Sequence, residues 1–226
     1  MKDERPKQLV ISSDLGQSSA LWDAAESARA AAVVAHGAGA GMEHPFMVGA
    51  ARGLVQSGAS CLRFNFPYME AGRRAPDRPL KLVETWRGAL DLGRRCAPDV
   101  PLVAGGKSLG GRMASVLAAD EGTGFAGAAL VFFGYPLHAP GRPEQLRDAH
   151  LVDVRVPMLF IQGTLDPFAR FDLLEALVER LGTGARLHAV EGADHSFRVR
   201  GKKRPDDEIG RELGEVAGAF AREIAG

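Results

Sequence analysis

Hydrophobic residues in this chain form short continuous runs that alternate with longer segments of helical spacing. The runs end in glycine, proline or a turn, which is typical of strands in a parallel sheet covered on both faces. They predict strands over residues 31–35, 60–66, 101–106, 128–133, 157–162 and 185–190.

Apolar residues repeat at three- and four-residue steps between these runs. This spacing predicts helices over residues 46–57, 80–96, 110–120, 170–181 and 206–225. Pro205 is expected at the first helical position of the last one, with an acidic first turn after it. Strands alternating with helices predict a mostly parallel, doubly wound α/β sheet flanked by helices, in a single domain over 1–226.

One connection is longer than the others, between the strands that end near residue 133 and begin near 157. We expect a short polar helix at about 143–150 there, and little or no lid domain. The segment can form one wall of a pocket. Its histidine, His138, either lines that pocket or faces solvent.

The sequence Gly106-Lys107-Ser108-Leu109-Gly110 lies directly after a predicted strand and directly before a predicted helix. A serine on such a sharp turn has strained backbone angles, and small residues two positions away on either side avoid a clash. The turn exposes the hydroxyl above the sheet, so Ser108 is the candidate nucleophile. The alternative is a glycine-rich turn with a capping serine.

A serine nucleophile needs a base, and the base needs a carboxylate that orients it. Asp166 and His195 both follow predicted strands, which places them at the carboxyl edge of the sheet together with Ser108. The order Ser, Asp, His is the one found in α/β-hydrolases. Asp194 is a second candidate for the orienting acid, but adjacent side chains seldom face each other.

An oxyanion hole requires two backbone N–H groups near the nucleophile. One is expected from Leu109, and the other from the loop His36–Gly41, where Ala38 or Gly39 is the candidate donor. His36 is expected to shape this loop rather than act as a base.

Several segments together resemble a known family. They are His36–Gly41 with His44–Met47, Arg63–Glu70, Gly105–Arg112, Tyr135–His138 and Gly163–Phe168. This set resembles a group of small predicted α/β-hydrolases related to dienelactone hydrolases. The group also includes the hydrolase-like domains of a testis-expressed protein and of a subunit of a nuclear acetyltransferase complex. The resemblance implies the α/β-hydrolase fold and carries nucleophile, acid and base onto Ser108, Asp166 and His195. Dienelactone hydrolases are expected to use cysteine where this chain has serine.

These observations predict a cofactor-independent, carboxylesterase-like serine hydrolase that cleaves a small or medium acyl ester or thioester. Two alternatives stay open: an amide or peptide hydrolase with the same three residues, and a catalytically idle hydrolase-like interaction module. Tyr68, Met69 and Glu70 follow a strand at the expected active edge and are candidates for lining the pocket. Lys107 either faces solvent or contacts an anionic group in the site.

Composition and charge limit the classes of partner and ligand that the chain is expected to bind. The chain has 28 basic and 28 acidic residues among 226, so no global field favours nucleic acid, and none is expected as a partner. The basic run between Arg198 and Arg204 is expected to be a solvated surface. Two cysteines form no disulfide framework, the scattered histidines suggest no metal site, and Cys61 is expected to be a buried apolar side chain. No apolar stretch predicts a membrane span or a signal peptide, so a cytoplasmic protein is expected.

Overall fold

The computed structural model describes residues 6–13 and 16–226. Its strands are β1 (Lys7–Ser13), β2 (Gly16–Asp23), β3 (Ala30–Ala35), β4 (Ala59–Phe64), β5 (Leu102–Lys107), β6 (Ala129–Phe133), β7 (Met158–Gly163) and β8 (Ala185–Val190). They form one eight-stranded sheet in the order β1-β2-β4-β3-β5-β6-β7-β8. In the described residues the pairs β1-β2 and β2-β4 are antiparallel, and every other pair of neighbours is parallel.

The helices are α1 (Pro45–Gln56), α2 (Pro67–Glu70), α3 (Pro79–Cys96), α4 (Leu109–Glu121), α5 (Phe171–Leu181) and α6 (Asp206–Ala225). They cover both faces of the sheet. Because successive strand residues point to opposite faces, Val33 packs in the core under α3 and α4, whereas Val34 packs in the core under α1 and α6. This alternation explains why the central strands are apolar throughout, and it confirms the doubly wound architecture.

The predicted strands and helices are present, with ends that differ by no more than two residues from the observed ones. The strands β1 and β2 were not predicted. Pro205 precedes the first residue of α6 and caps it, one position earlier than expected. Within the described ranges, no helix is long and apolar enough to cross a membrane.

The prediction of a short polar helix at about 143–150 is wrong. The connection from β6 to β7 is mostly turns, followed by one 3-10 helix over Ala149–Asp153. The segment folds back on itself instead of coiling, since the Arg147 N–H donates to the Leu137 carbonyl and the Tyr135 hydroxyl donates to the Arg147 carbonyl. This compact connection leaves no separate lid above the sheet.

Candidate active site

Four loops meet at the carboxyl edge of the parallel strands. They follow β3, β5, β7 and β8, and they carry the segment His36–Gly41, Ser108, Asp166 and His195 respectively. Parallel strands end at the same edge, so residues distant in sequence come together here. The structure brings His195 within hydrogen-bond distance of both Ser108 and Asp166.

Ser108 has backbone angles that a non-glycine residue rarely adopts, with φ at 49° and ψ at −114°. The turn is tight because two glycines pack directly on β3. A Cβ on Gly106 would lie 2.1 Å from the carbonyl oxygen of Ala35, and one on Gly110 would lie 2.5 Å from the same oxygen. The Ser108 N–H donates to the Phe133 carbonyl, which fixes the turn against β6.

A chain of hydrogen bonds runs from Ser108 to Asp166. The Ser108 Oγ lies 2.9 Å from His195 Nε2, and His195 Nδ1 lies 2.7 Å from Asp166 Oδ2. A carboxylate only accepts, so Nδ1 carries the proton and donates to Asp166, which leaves Nε2 to accept from the serine hydroxyl. This is the tautomer that a general base beside a serine requires.

Asp166 is held in place by two further donors. The buried amide of Gln162 donates to Oδ2 at 2.6 Å, and the Phe168 N–H donates to Oδ1 at 2.7 Å. The carboxylate is therefore enclosed but satisfied, with only 4% of the residue exposed. Asp194, the alternative acid, accepts instead from the backbone N–H groups of Ser196 and Arg198.

The loop after β3 runs beside the nucleophile. A Cβ on Gly37 would lie 3.5 Å from Ser108 Cβ, and the next residue, Ala38, is exposed. Leu109 is the first residue of α4, so its N–H has no acceptor within the helix. Burial raises the pKa of the Tyr68 hydroxyl, and the backbone of Gly39, which lies beside that hydroxyl, partly opposes the rise. Which N–H groups hold an oxyanion stays a prediction.

His36 lies beneath this loop and is fully buried. Its Nε2 accepts from the Phe66 N–H at 3.1 Å, so Nδ1 donates to the Gly37 carbonyl at 2.8 Å. Burial lowers the pKa of His36, which favours the neutral ring. His36 therefore fixes the loop, as expected from the sequence.

Tyr68 and Met69, two of the residues expected to contact substrate, differ in exposure. Tyr68 is buried, and desolvation raises its pKa to about 12. Met69 is partly exposed, and its methyl group would lie 3.7 Å from a Cβ on Gly41. A contact with substrate stays a prediction for both.

His138 is also buried, which excludes the solvent-facing alternative. It accepts from the Arg170 N–H at 2.8 Å and donates to the Ala139 carbonyl at 2.9 Å. His138 thus ties the connection after β6 to the segment before α5, where both ring nitrogens are used by the backbone. Its expected place as a pocket wall stays a prediction.

Lys107 differs from both of its expected positions. Its Nζ neither points into solvent nor lies free in the site, but donates to the His195 carbonyl oxygen at 2.6 Å. Desolvation lowers the pKa of Lys107 from 10.5 to about 8, and the carboxylates of Asp166 and Asp194 oppose this shift.

Two further residues shape the site but were not singled out in the sequence. Gln162 is a polar residue inside the apolar run of β7, and an unpaired amide there would be costly. That single polar position was the available signal. The Phe168 ring packs against the His195 ring at a tilt of 36°, with centroids 4.4 Å apart, and nothing in the sequence pattern indicates this contact.

A second serine lies beside a histidine, away from the sheet edge. Ser115 Oγ is 2.9 Å from His150 Nε2. Its hydroxyl donates its only proton to the Arg112 carbonyl, so His150 must donate to Ser115 rather than accept from it. Ser115 is fully buried within α4. The pair therefore lacks the polarity and the access that a nucleophile needs.

The remaining candidates for chemistry lie at the surface or in the core. In the basic run, Arg198 pairs with Asp206 and Arg204 with Glu212. Cys61 is buried in β4, and burial raises the pKa of its thiol. Among the described residues, no three His, Cys, Asp or Glu side chains are grouped as metal ligands would be.

Comparisons with known proteins agree with this architecture. The lid-less α/β serine hydrolase from Xanthomonas campestris is 20% identical with a TM-score of 0.74, covering 98% of this chain and 97% of that one. The esterase domain of a Rhodothermus marinus protein is 19% identical with a TM-score of 0.74 and covers 99% of this chain and 100% of that chain. A dienelactone hydrolase from Anabaena variabilis is 22% identical with a TM-score of 0.73, over 94% of this chain and 97% of that one.

At these identities the structures show the fold, which is the α/β-hydrolase fold, and the first of them shares the absence of a lid. The sequence itself gives the family. Residues 28–225 match the family described as the alpha/beta hydrolase domain. This match spans most of the chain, and so the chain belongs to the alpha/beta hydrolase domain family.

Proposed function

We propose that the protein is a serine hydrolase that cleaves small or medium acyl esters or thioesters through an acyl-enzyme. The hydrogen-bonded series Ser108–His195–Asp166, built on a strained turn at the sheet edge, carries this proposal. Membership of the alpha/beta hydrolase domain family supports it.

In the acylation step, His195 Nε2 takes the proton of Ser108 as Oγ attacks the acyl carbon. The carbonyl π electrons move onto oxygen and give a tetrahedral oxyanion. His195 then returns the proton to the leaving alcohol or thiol as the bond to the acyl carbon breaks. Asp166 keeps the proton on Nδ1 and stabilises the imidazolium that forms.

The oxyanion is held by the backbone N–H groups of Leu109 and Ala38. The start of α4 adds the positive end of the helix dipole at the same point. Each donor in such a site lowers the barrier by about 3–4 kcal/mol, because the charge forms only in the transition state. Water then attacks the acyl-enzyme, with His195 again as base, and releases the acid.

Substrate size follows from the connection between β6 and β7. It contains one five-residue 3-10 helix and no layer that covers Ser108. A site open to solvent does not desolvate a long alkyl chain, so short acyl groups are the favoured substrates.

Turnover of an ester series tests this function. We expect hydrolysis of p-nitrophenyl acetate and butyrate, with kcat/KM falling toward the dodecanoate, and comparable hydrolysis of a phenyl thioacetate. Ser108→Ala is expected to lower turnover at least about 10³-fold. Ser115→Ala is the matched control, because it removes the other serine that contacts a histidine, and it should retain activity. Equal turnover by wild type and Ser108→Ala would rule the proposal out.

A further inference from the structure

The ammonium group of Lys107 lies between the His195 carbonyl and Gly134. The lysine stem passes Gly37, where a Cβ would lie 3.4 Å from Lys107 Cγ. Its Nζ ends beside Gly134, where a Cβ would lie 3.0 Å away. The His195 ring borders the same glycine, since its Cε1 would lie 3.5 Å from that Cβ. Two glycines therefore leave the space that brings the ammonium next to the histidine.

One isolated bridge, Ala193 to Val199, spans the loop that carries His195 in the described part of the chain. Asp194 closes the turn within this loop, since its Oδ1 accepts from the Ser196 and Arg198 N–H groups and its own N–H donates to the Arg198 carbonyl. These bonds hold the turn together but do not tie it to the segment that carries Ser108. Phe197 sits at a φ of 61°, which is strained for an aromatic residue. Lys107 contacts this turn twice, through its bond to the His195 carbonyl at 2.6 Å and through its Nζ 5.2 Å from the centre of the Phe197 ring.

We propose that Lys107 is a positioning residue that fixes the His195 loop so that the imidazole meets Ser108 and Asp166 together. This inference rests on the proposed hydrolase function. Lys107 adjoins the nucleophile in sequence, so one short segment sets the place of both the serine and the base. A displacement of about 1 Å in a catalytic group can lower the rate about 10²-fold. A hydrogen bond that fixes the position of His195 can therefore have a large effect on the rate.

Stability does not explain this lysine. Desolvation by burial is the largest influence on its pKa and opposes the charged form. The charged groups that face it are Asp166 and Asp194, and their attraction only partly offsets that cost. A partly exposed charge that desolvation disfavours, next to a reactive site, is typical of functional residues.

The lowered pKa of Lys107 predicts how the stability of the folded protein changes with pH. The folded-state pKa of about 8 lies below the ordinary value of 10.5. The unfolded chain therefore holds more protons between these two pH values, and the stability of the wild type rises as pH increases from about 8 to 10.5. A variant without the amine lacks this rise.

The experiment compares wild type with Lys107→Met, which keeps the length of the side chain but removes the charge and the donor. Lys203→Met, at an exposed lysine, is the matched control. We measure kcat and KM for p-nitrophenyl acetate, the rate of labelling by a fluorophosphonate, and the melting temperature from pH 7 to 10.5. For Lys107→Met we expect kcat and the labelling rate to fall about 10- to 100-fold, with KM within twofold and a melting temperature at pH 7 no lower than that of wild type.

A kcat and labelling rate within twofold of wild type would overturn the positioning role while leaving the proposed function intact, because wild type still reacts at Ser108. A wild type that neither labels nor turns over would refute the proposed function, and the inference with it. If Lys107→Met does not fold, Lys107→Gln serves instead: it is neutral and shorter, so the same loss of kcat at unchanged KM is expected, and an unchanged kcat would overturn the inference.

Discussion

At the scale of single residues, the state of the histidine follows from its two partners. Asp166 accepts at Nδ1, so the proton is excluded from Nε2, where the Ser108 hydroxyl donates. Gln162 and the Phe168 N–H keep the carboxylate in place with two further bonds. Every group around Asp166 is a donor, so its position is suited to a carboxylate with two accepting oxygens.

This donor set predicts the effect of Asp166→Asn. An amide has one accepting oxygen. An NH₂ group in the place of Oδ1 faces the Phe168 N–H, and one in the place of Oδ2 faces both Gln162 Nε2 and His195 Nδ1. The backbone N–H of Phe168 cannot turn away, whereas the histidine can change its tautomer, so the second orientation is expected. The tautomer of His195 is then reversed or its bond to residue 166 is lost. We expect kcat for p-nitrophenyl acetate to fall on the order of 10³- to 10⁴-fold with little change in KM.

Asp194→Asn is the control for that measurement. The Asp194 Oδ1 accepts two backbone N–H groups, and an asparagine oxygen can accept the same bonds. Its kcat should therefore stay within about tenfold of wild type. The opposite ranking of the two variants would assign the orienting role to Asp194.

Residues whose backbone conformation is constrained by a motif could be predicted from the sequence. Side-chain positions that depend only on packing could not. Ser108 was predicted because few residues tolerate its turn, and the structure has it at a φ of 49°. The direction of the Lys107 side chain was not predicted, since it depends on contacts with Gly37 and Gly134, which are far apart in the sequence. The sequence left His138 either in the pocket or at the surface, because it does not show that backbone groups of a later segment bury this side chain.

At the scale of elements, the turn between β5 and α4 sets the geometry of the site. The first turn of α4 lies against the end of β3, so close that a Cβ on Gly110 would lie 2.5 Å from the Ala35 oxygen and 2.6 Å from the His36 oxygen. This contact brings the Ser108 turn and the loop after β3 side by side. Ser108 and the expected oxyanion donors are thus positioned by one packing contact.

Gly110→Ala tests this contact. The obstructing atoms are backbone, which cannot rotate away, so β3 and α4 must separate. We expect a loss of about 1–3 kcal/mol in the free energy of unfolding, seen in urea titration, and a slower reaction of Ser108 with a fluorophosphonate.

Gly124→Ala is the matched substitution, since a Cβ there would meet nothing within 4 Å. Its stability should stay within about 0.5 kcal/mol of wild type. Equal losses in the two variants would show that the tight contact at Gly110 does not determine the geometry of the turn.

Strands and helices with a regular pattern of buried residues could be predicted from the sequence, and those with an irregular pattern could not. The central strands are buried on both faces and appear as continuous apolar runs, such as Ala30–Ala35. The strand Gly16–Asp23, second from the edge of the sheet, mixes exposed and buried residues and was not predicted. The turns after β6 were taken for a helix because their stability comes from distant backbone bonds, such as the one from the Arg147 N–H to the Leu137 carbonyl.

At the scale of the whole molecule, the parallel sheet gathers the site at one edge. Ser108 and His195 are 87 positions apart in the chain and 2.9 Å apart in space. The central claim is that this arrangement activates Ser108 as a nucleophile. Ser115 provides an internal comparison, because it has a histidine at the same distance but the reverse polarity of the hydrogen bond.

The most direct test is the intact mass of the folded protein after reaction with a fluorophosphonate, followed by mapping of the modified peptide. The account predicts a single adduct on Ser108, absent in Ser108→Ala and retained in Ser115→Ala. No adduct on a folded wild type, or one that persists in Ser108→Ala, would contradict the claim and point to a hydrolase fold that is catalytically idle at this serine.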